Sequence, residues 1–411
     1  MQKRFTPDEG GAFPEWEEKT IEEACNVNVS NGTPGDKFIY IELGDVNKYG
    51  LLKRKNLVQK HEAPVSAKRV AKVDDVFFRS VRPGNKGHFH YTNEMSEQVV
   101  MSSAFFQLSM KDGDNGFLYQ ALNSDYFCKQ VLRKCAGTAY PTISLKEFIK
   151  LKIRIPKSIE EQRKIAAALA AYDEMIAVKT AKLETWQECK KRMVKEIFDR
   201  TKRFRDDDGN EFPEWEEKTL GEVAELKNGY TFSSKSYDKN NSGDYKIITI
   251  GNLQEGKDIV INNRTKTVSK VPKNIKEHQI LHDGDILVAL TGATIGKVAL
   301  NAGTNHLLNQ RVGKIQIKDI TNINNEFLYY IVNQEEFKSE MESKGHGSAQ
   351  PNLSKCDVEG FSFFLPCIEE QQKIGSFLAE IDNEIQIQKE FIKTYADGKK
   401  RMMRELMEKC N

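Results

Sequence analysis

The 411-residue sequence has no CxxC pair and no even set of cysteines, its seven being scattered at 25, 128, 135, 189, 356, 367 and 410. This argues against a disulfide framework and suits free thiols in a reducing cytosol. No apolar run approaches the ~20 residues needed to span a bilayer, and the opening MQKRFTPDEG contains no apolar signal core. A soluble, cytoplasmic chain without membrane contact is expected. Net charge is nearly absent too: 62 Lys and Arg stand against 60 Asp and Glu. No global field draws the chain to nucleic acid, so any basic surface must be local.

Catalytic signatures are also lacking. GATIGKV (292–298) has three residues between its first glycine and the Gly-Lys pair, and Val298 follows where a phosphate loop needs Ser or Thr. A Gly-rich turn between two strands covers it better. The seven histidines include the close pair His88 and His90, with no carboxylate or cysteine at ligand spacing beside them. No GxSxG, HExxH or dinucleotide fingerprint occurs. No catalytic residue, metal site or cofactor site is expected in this chain.

What is present is written twice. KRFTPDEGGAFPEWEEKTI (3–21) aligns without a gap on KRFRDDDGNEFPEWEEKTL (202–220), and IEEQRKI (159–165) returns as IEEQQKI (368–374). The chain is therefore one unit of about 200 residues in two copies. After each IEEQ copy the apolar positions keep heptad spacing. The first stripe is Ile165, Leu169, Tyr172, Ile176, Leu183, Trp186, Met193 and Ile197, with Lys179 and Lys190 in register. The second is Ile374, Leu378, Ile381, Ile385, Ile392, Tyr395, Met402 and Leu406, with Gln388 and Lys399 in register. A sustained 3.5-residue repeat asks for a helical partner, and each stripe has none nearby in sequence, so the two copies are expected to pack on each other. Thr20 and Thr219, each with a glutamate three residues on, predict capping boxes for short helices, and Trp16 and Trp215 are expected to plug the base of the domain that follows.

Between these frames lie two bodies of strand-like runs: KFIYIELGDV, DVFFRSV and SSAFFQLSM, then YKIITIGNL, DILVALTG and RVGKIQIKD. Each ends in a helical stretch (116–131; 326–341), a Gly/Ala turn and a short strand stopped by Pro156 or Pro366. The bodies differ in sequence while keeping their landmarks in register. Donor-rich loops supply the candidate nucleic-acid contacts: Arg79, Arg82, Asn85, Lys86 and His88 in the first body, and Thr291, Thr294, Lys297, Asn309, Gln310 and Arg311 in the second. Met101-Ser102-Ser103 hold the place of Asn309–Arg311 in the first body. The basic stretch 48–69 is a second candidate face. Loops and basic runs of this kind are also common as merely solvated surface, and the cations at 190–195 and 399–404 suit a helix C-terminus without any ligand.

The FPEWEEKT leaders, the divergent body with GATIGKVAL, and the PNLS…LP…IEEQQKI exit into a long helix together resemble the specificity subunits of type I restriction-modification systems. The resemblance covers essentially the whole chain. It implies an α+β fold: two pseudo-symmetric mixed α/β target recognition domains (1–156 and 201–366) and two spacer helix regions (157–200 and 367–411) forming an antiparallel coiled coil. It further implies a bipartite, asymmetric double-stranded DNA target, two adenine methyltransferase subunits and two translocase/nuclease subunits as partners. S-adenosylmethionine, ATP and magnesium would then belong to those partners. RPGNKG in the first body stands where the family-like GATIGK turn stands in the second. The alternative is a stand-alone DNA-binding scaffold that needs no methyltransferase.

Overall fold

A computed structural model describes residues 4–30, 32–92, 95–254, 256–345 and 352–408. His346, the Gly/Ala turn at 347–351 and Cys410 lie outside the described residues. Residues 1–185 with 387–411 make one compact unit, and 186–386 make the other.

In unit one, all three apolar runs become strands. Cys25–Val27, Phe105–Met110, Val76–Arg79 and Phe89–His90 form an antiparallel sheet in that order. A second sheet runs Asn56–Gln59, Lys37–Ile41, Val99–Ser102, Ala67–Val70, with its two middle strands parallel. The run VFF at 76–78 is continuously apolar because alternate residues serve different cores. Val76 and Phe78 pack with Phe117, Leu118 and Ile165, while Phe77 packs with Ile39 and Met101.

Unit two repeats this topology strand for strand. Ala224–Asn228, Val312–Ile317, Ile286–Ala289 and Val298–Leu300 form the antiparallel sheet. Tyr245–Ile248 and His306–Leu308 form the parallel centre of the other. The helical stretch that closes each body is two helices rather than one. Ser124, extended and capping Asp125–Lys134, breaks the first, and Asn333 ends Asn325–Val332 in the second.

The long helices α1 (Ile159–Phe198) and α2 (Ile368–Met403) are each unbroken. At 40 residues, α1 is roughly 60 Å long. The two pair antiparallel within each unit. In unit one Lys399 Nζ lies 2.6 Å from Asp173 Oδ1, the Lys179 ammonium sits 4.5 Å over the Phe391 ring, and a Cβ on Gly398 would fall 2.9 Å from Tyr172. In unit two Lys190 Nζ lies 2.6 Å from Asp382 Oδ1. The partner number falls along α2 as it rises along α1. Every apolar stripe residue is buried or half-buried. The stripe does not face only a helix, however: Ile165 and Leu169 also join the core of body one. At the far end Met402 is half-buried, while Met403, Leu406 and Met407 enter that core through a terminal π turn at Arg404–Glu408.

The duplicated motifs turn out to be one joint, built twice. The second glutamate of IEEQ is fully buried in each copy. Glu161 accepts from Arg4 Nε at 2.7 Å and Nη2 at 3.0 Å, and from Trp16 Nε1 at 3.3 Å. Glu370 accepts from Arg203 Nη2 at 2.8 Å and Trp215 Nε1 at 3.0 Å. The neighbouring glutamines bind backbone: Gln162 accepts from Asp114 N–H and donates to Pro156 O, and Gln371 accepts from Asn324 N–H and donates to Pro366 O. Asp114 and Asn324 are the N-caps of the helices that pack beneath. The leader strands Trp16–Thr20 and Glu216–Thr219 pair with Lys152–Pro156 and Ser362–Leu365 to close each joint. Both capping boxes form, Thr20 with Glu23 and Thr219 with Glu222. The tryptophans do plug the base, Trp16 edge-on to Phe117 and Trp215 to Phe327.

Candidate nucleic-acid interface

In body two the sequence-flagged loops meet along one rim, because backbone hydrogen bonds lay them side by side. Tyr230 N–H donates to Leu308 O and Gln310 N–H to Tyr230 O, Leu290 N–H donates to Arg311 O, and Leu353 N–H donates to Leu290 O. Thr291 bridges Asn352 on the outer side. Asn309 is buried at 7% exposure, and its Oδ1 accepts from Arg311 N–H at 3.1 Å, an Asx turn that lifts Gln310 and Arg311 to the tip. Gln310 Oε1 accepts from the Thr231 hydroxyl at 2.6 Å. Exposed Thr231, Gln310, Arg311 and Asn352 thus form a row of donors and acceptors, with half-buried Thr291 between. The Thr291 and Thr294 hydroxyls are shielded from solvent and have no partner among the described residues. Lys297 is half-buried behind the turn.

Body one builds the same rim from other side chains. Ser80 N–H and its hydroxyl both donate to Ala104 O, Ile143 N–H donates to Ser80 O, and Val81 bridges Thr142. The tip between strands is Ser103-Ala104, so Met101 and Ser102 belong to the preceding strand. In place of an Asn-Gln-Arg tip there is a stacked pair. The Arg82 guanidinium carbon lies 4.0 Å over the ring of Tyr140, which is 66% exposed. Asn85 is exposed, and Lys86 Nζ lies 3.4 Å from Asn123 O.

RPGNKG and GATIGK prove to be the same turn. Phe77 pairs with Phe89 and Leu287 with Ala299, so the connections are of equal length and place Arg82 against Gly292 and Lys86 against Gly296. All four lie at positive φ, at 47° and 77°, then 55° and 76°. Asn85 N–H to Arg82 O and Ile295 N–H to Gly292 O close the turns alike. For residues with a Cβ this conformation costs about 1–2 kcal/mol each.

Two candidates in body one serve the fold instead of the surface. Arg79 donates from Nε to Val81 O at 2.9 Å and from Nη1 to Leu43 O at 3.4 Å, so its donors are held by its own turn. Burial, with the Arg82 charge, lowers its pKa. His88 is 1% exposed, stacked at 4.1 Å on Phe78, and cannot touch a ligand outside. Its Nδ1 accepts from Arg79 N–H, which leaves the ring proton on Nε2, where no described residue accepts it. Burial, then the Lys86 and Arg79 charges, depress its pKa to about 3. An unfolded His88 binds its proton near pH 6.5 and the folded one does not. Its contribution is therefore fully present above that pH and is lost as pH falls toward 3, by at most about 1.4 kcal/mol per pH unit. Between pH 6.5 and 4.5 the stability of His88→Gln should fall less steeply than that of the native protein. Parallel slopes in chemical denaturation would show that the imidazole is not the titrating group.

His90 and Asp74 are brought together at 2.8 Å, a contact invisible in the sequence, with Asn115 Nδ2 on the second carboxylate oxygen. Among the described residues no three His, Cys, Asp or Glu side chains group as a metal site. The stretch 48–69 exposes Lys53, Arg54, Lys55, Lys60 and Lys68, while Arg69 is half-buried. Lys190 and Lys399, read as helix-end cations, are the cross-helix ion pairs of the frame. No described helix is long and apolar enough to cross a membrane.

A family model described as "Type I restriction modification DNA specificity domain" matches residues 14–185 and again 213–394. A curated relative, the type I restriction enzyme MjaVIII specificity subunit of Methanocaldococcus jannaschii, is 29% identical over 329 residues, which cover 76% of this chain and 74% of that protein. Among solved structures, the S subunit of a type I restriction-modification system from M. genitalium superposes with a TM-score of 0.62 at 16% identity. That match covers 98% of this chain and 99% of the other.

Proposed function

Because this chain belongs to the type I restriction-modification DNA specificity family, we propose that it reads a bipartite, asymmetric DNA duplex, one half-site per body, and carries adenine methyltransferase subunits to it. The observation that carries this reading is the pair of rims: one backbone scaffold, two unrelated sets of tip side chains. Gln310 and Arg311 offer an amide and a fork to base edges in one body, where the other offers Arg82 on Tyr140. Equal scaffolds suit equal duplex geometry, and unequal tips suit unequal sequences.

The joints point to a repeated partner. Arg4, Trp16 and Glu161 recur as Arg203, Trp215 and Glu370 with the same bonds. Two joints built to one plan suit the docking of two copies of one methyltransferase subunit. Two translocase/nuclease subunits would complete the complex. S-adenosylmethionine, ATP and magnesium are assigned to those partners, and α1 and α2 would fix the number of unread base pairs between half-sites.

The test is single-molecule methylome sequencing of a host carrying the methyltransferase genes with and without this chain. A split adenine motif should appear only with it. The same methylation in its absence would sink the reading, and nanomolar footprinting by the isolated chain would favour a stand-alone binder.

A further inference from the structure

The reading of the bodies as duplex readers is the premise here, and from it we infer that Arg82 and Lys86 are the two DNA-contacting side chains of the body-one turn. Arg82 reads a base edge, and Lys86 holds a phosphate.

The turn backbone speaks first. Arg82 (φ 47°, ψ 53°) and Lys86 (φ 55°, ψ −148°) both lie at positive φ, and Lys86 is close to a region that glycine alone occupies at ease. The turn of equal length in body two puts Gly292 and Gly296 at these positions. Glycine would therefore serve this backbone in body one. Two long cations stand there instead, so the side chains carry a use that offsets the strain.

That use is not structural. Neither cation has an ion pair in the described structure. Arg82 has one long hydrogen bond, 3.4 Å to Ala139 O, and its stack on exposed Tyr140. Lys86 has one long hydrogen bond, 3.4 Å to Asn123 O, and its charge acts on the Asp125 carboxylate without forming an ion pair. Arg79 and His88, the flanking candidates, are held inward by the turn itself. Of the flagged donors, the turn leaves Arg82, Lys86 and the exposed amide of Asn85 for an outside partner.

The surroundings separate the two roles. The Tyr140 ring supports the guanidinium at 4.0 Å, on the rim where Val81 bridges Thr142. A planar fork on a rim suits the paired O6 and N7 acceptors of guanine. Lys86 instead lines a groove of ≈ 780 Å³ together with Lys48, Lys389 and Lys393. The same groove holds Asp125, Asp173 and Asp397, but Asp125 and Asp173 are paired with Arg404, Lys400 and Lys399, so the cations outnumber the acids. Ammonium groups of this kind suit phosphates and carry no sequence information.

The experiment uses the full-length chain, native and as Arg82→Gly, Arg82→Ala and Lys86→Gly. Glycine relieves the backbone, so the melting temperatures of R82G and K86G should equal the native value or exceed it by up to about 4 °C. Arg82→Ala keeps the strained backbone and should melt no higher than native. With the methyltransferase partner present, both Arg82 variants should lose selection at one base pair of a single half-site, by roughly 5- to 150-fold. K86G should keep the motif and weaken binding to a duplex carrying it, with a log–log salt slope smaller by about 0.9. A motif unchanged at every position in R82G, or a melting temperature several degrees below native, would overturn the assignment. A native chain that directs no motif removes the premise, and the inference falls with it. A native motif with an unaltered R82G motif refutes only the inference.

Discussion

Replacing Glu370 by alanine is expected to unfold unit two while unit one stays folded. The carboxylate is fully buried and accepts from Arg203 and Trp215. Its hydrogen bond raises the Arg203 pKa, so the guanidinium is a fixed cation at every accessible pH. Removing the acid leaves the Trp215 N–H without its acceptor and the cation, half inside the joint, with only exposed Glu214 and the Phe212 and Pro213 carbonyls. Breaking such a pair from one side costs about 3–5 kcal/mol, a large share of what holds a domain of this size. Glu161→Ala should do the same to unit one through Arg4 and Trp16. Hydrogen exchange followed by mass spectrometry distinguishes the two. In E370A, protection should collapse over 212–220 and 362–371 but hold over 13–20 and 152–162. Uniform loss across both units would mean that the joints are not independent, and no loss would mean that the buried acid is dispensable.

The second large effect concerns the ion pair between the helices of unit one. Asp173 accepts from Lys399 at 2.6 Å and from Gln120 Nε2 at 2.8 Å. Burial pulls the Lys399 pKa down although Asp173 pushes it up, so the amine depends on its partner. Asp173→Lys or Lys399→Asp alone sets like charges together and should cost about 3–5 kcal/mol. The double reversal rebuilds the pair with opposite polarity. Gln120 can turn to present Oε1, which has no partner among the described residues, to the new ammonium. The double variant should therefore recover at least about 1–2 kcal/mol of the summed loss in a denaturation cycle. Strict additivity would show that α1 and α2 do not meet there.

These cases show what the sequence carries openly. The heptad stripes, the capping boxes and the strands were legible because each obeys a local period or spacing. Glu161 and Glu370 were not, since a Glu-Glu pair in the first turn of a helix reads as solvated charge suited to the dipole. Only their duplication marked them, together with Arg4 and Arg203 in the leaders. Lys190 and Lys399 broke the apolar stripe for a reason that lies on the opposite helix. The rims were half legible. Gln310 and Arg311 stand where loop composition put them, and RPGNKG occupies the place of GATIGK, but the backbone the two turns share was hidden. Strand register and connection length set that backbone, and the residues follow it at a strain. His88 misled because a histidine among loop donors looks exposed until Phe78 and the strand beside it are placed.

The division of the chain also bears on how it is made. Unit two is a single uninterrupted segment, 186–386, but unit one needs residues 387–411 and buries Met403, Leu406 and Met407 in its core. The half that leaves the ribosome first must wait, unfinished, for residues 387–411, which follow the whole of its twin, whereas the later half holds all its parts in one stretch. A chain truncated after residue 386 and released should therefore expose the amino-terminal half, and not its twin, to proteolysis.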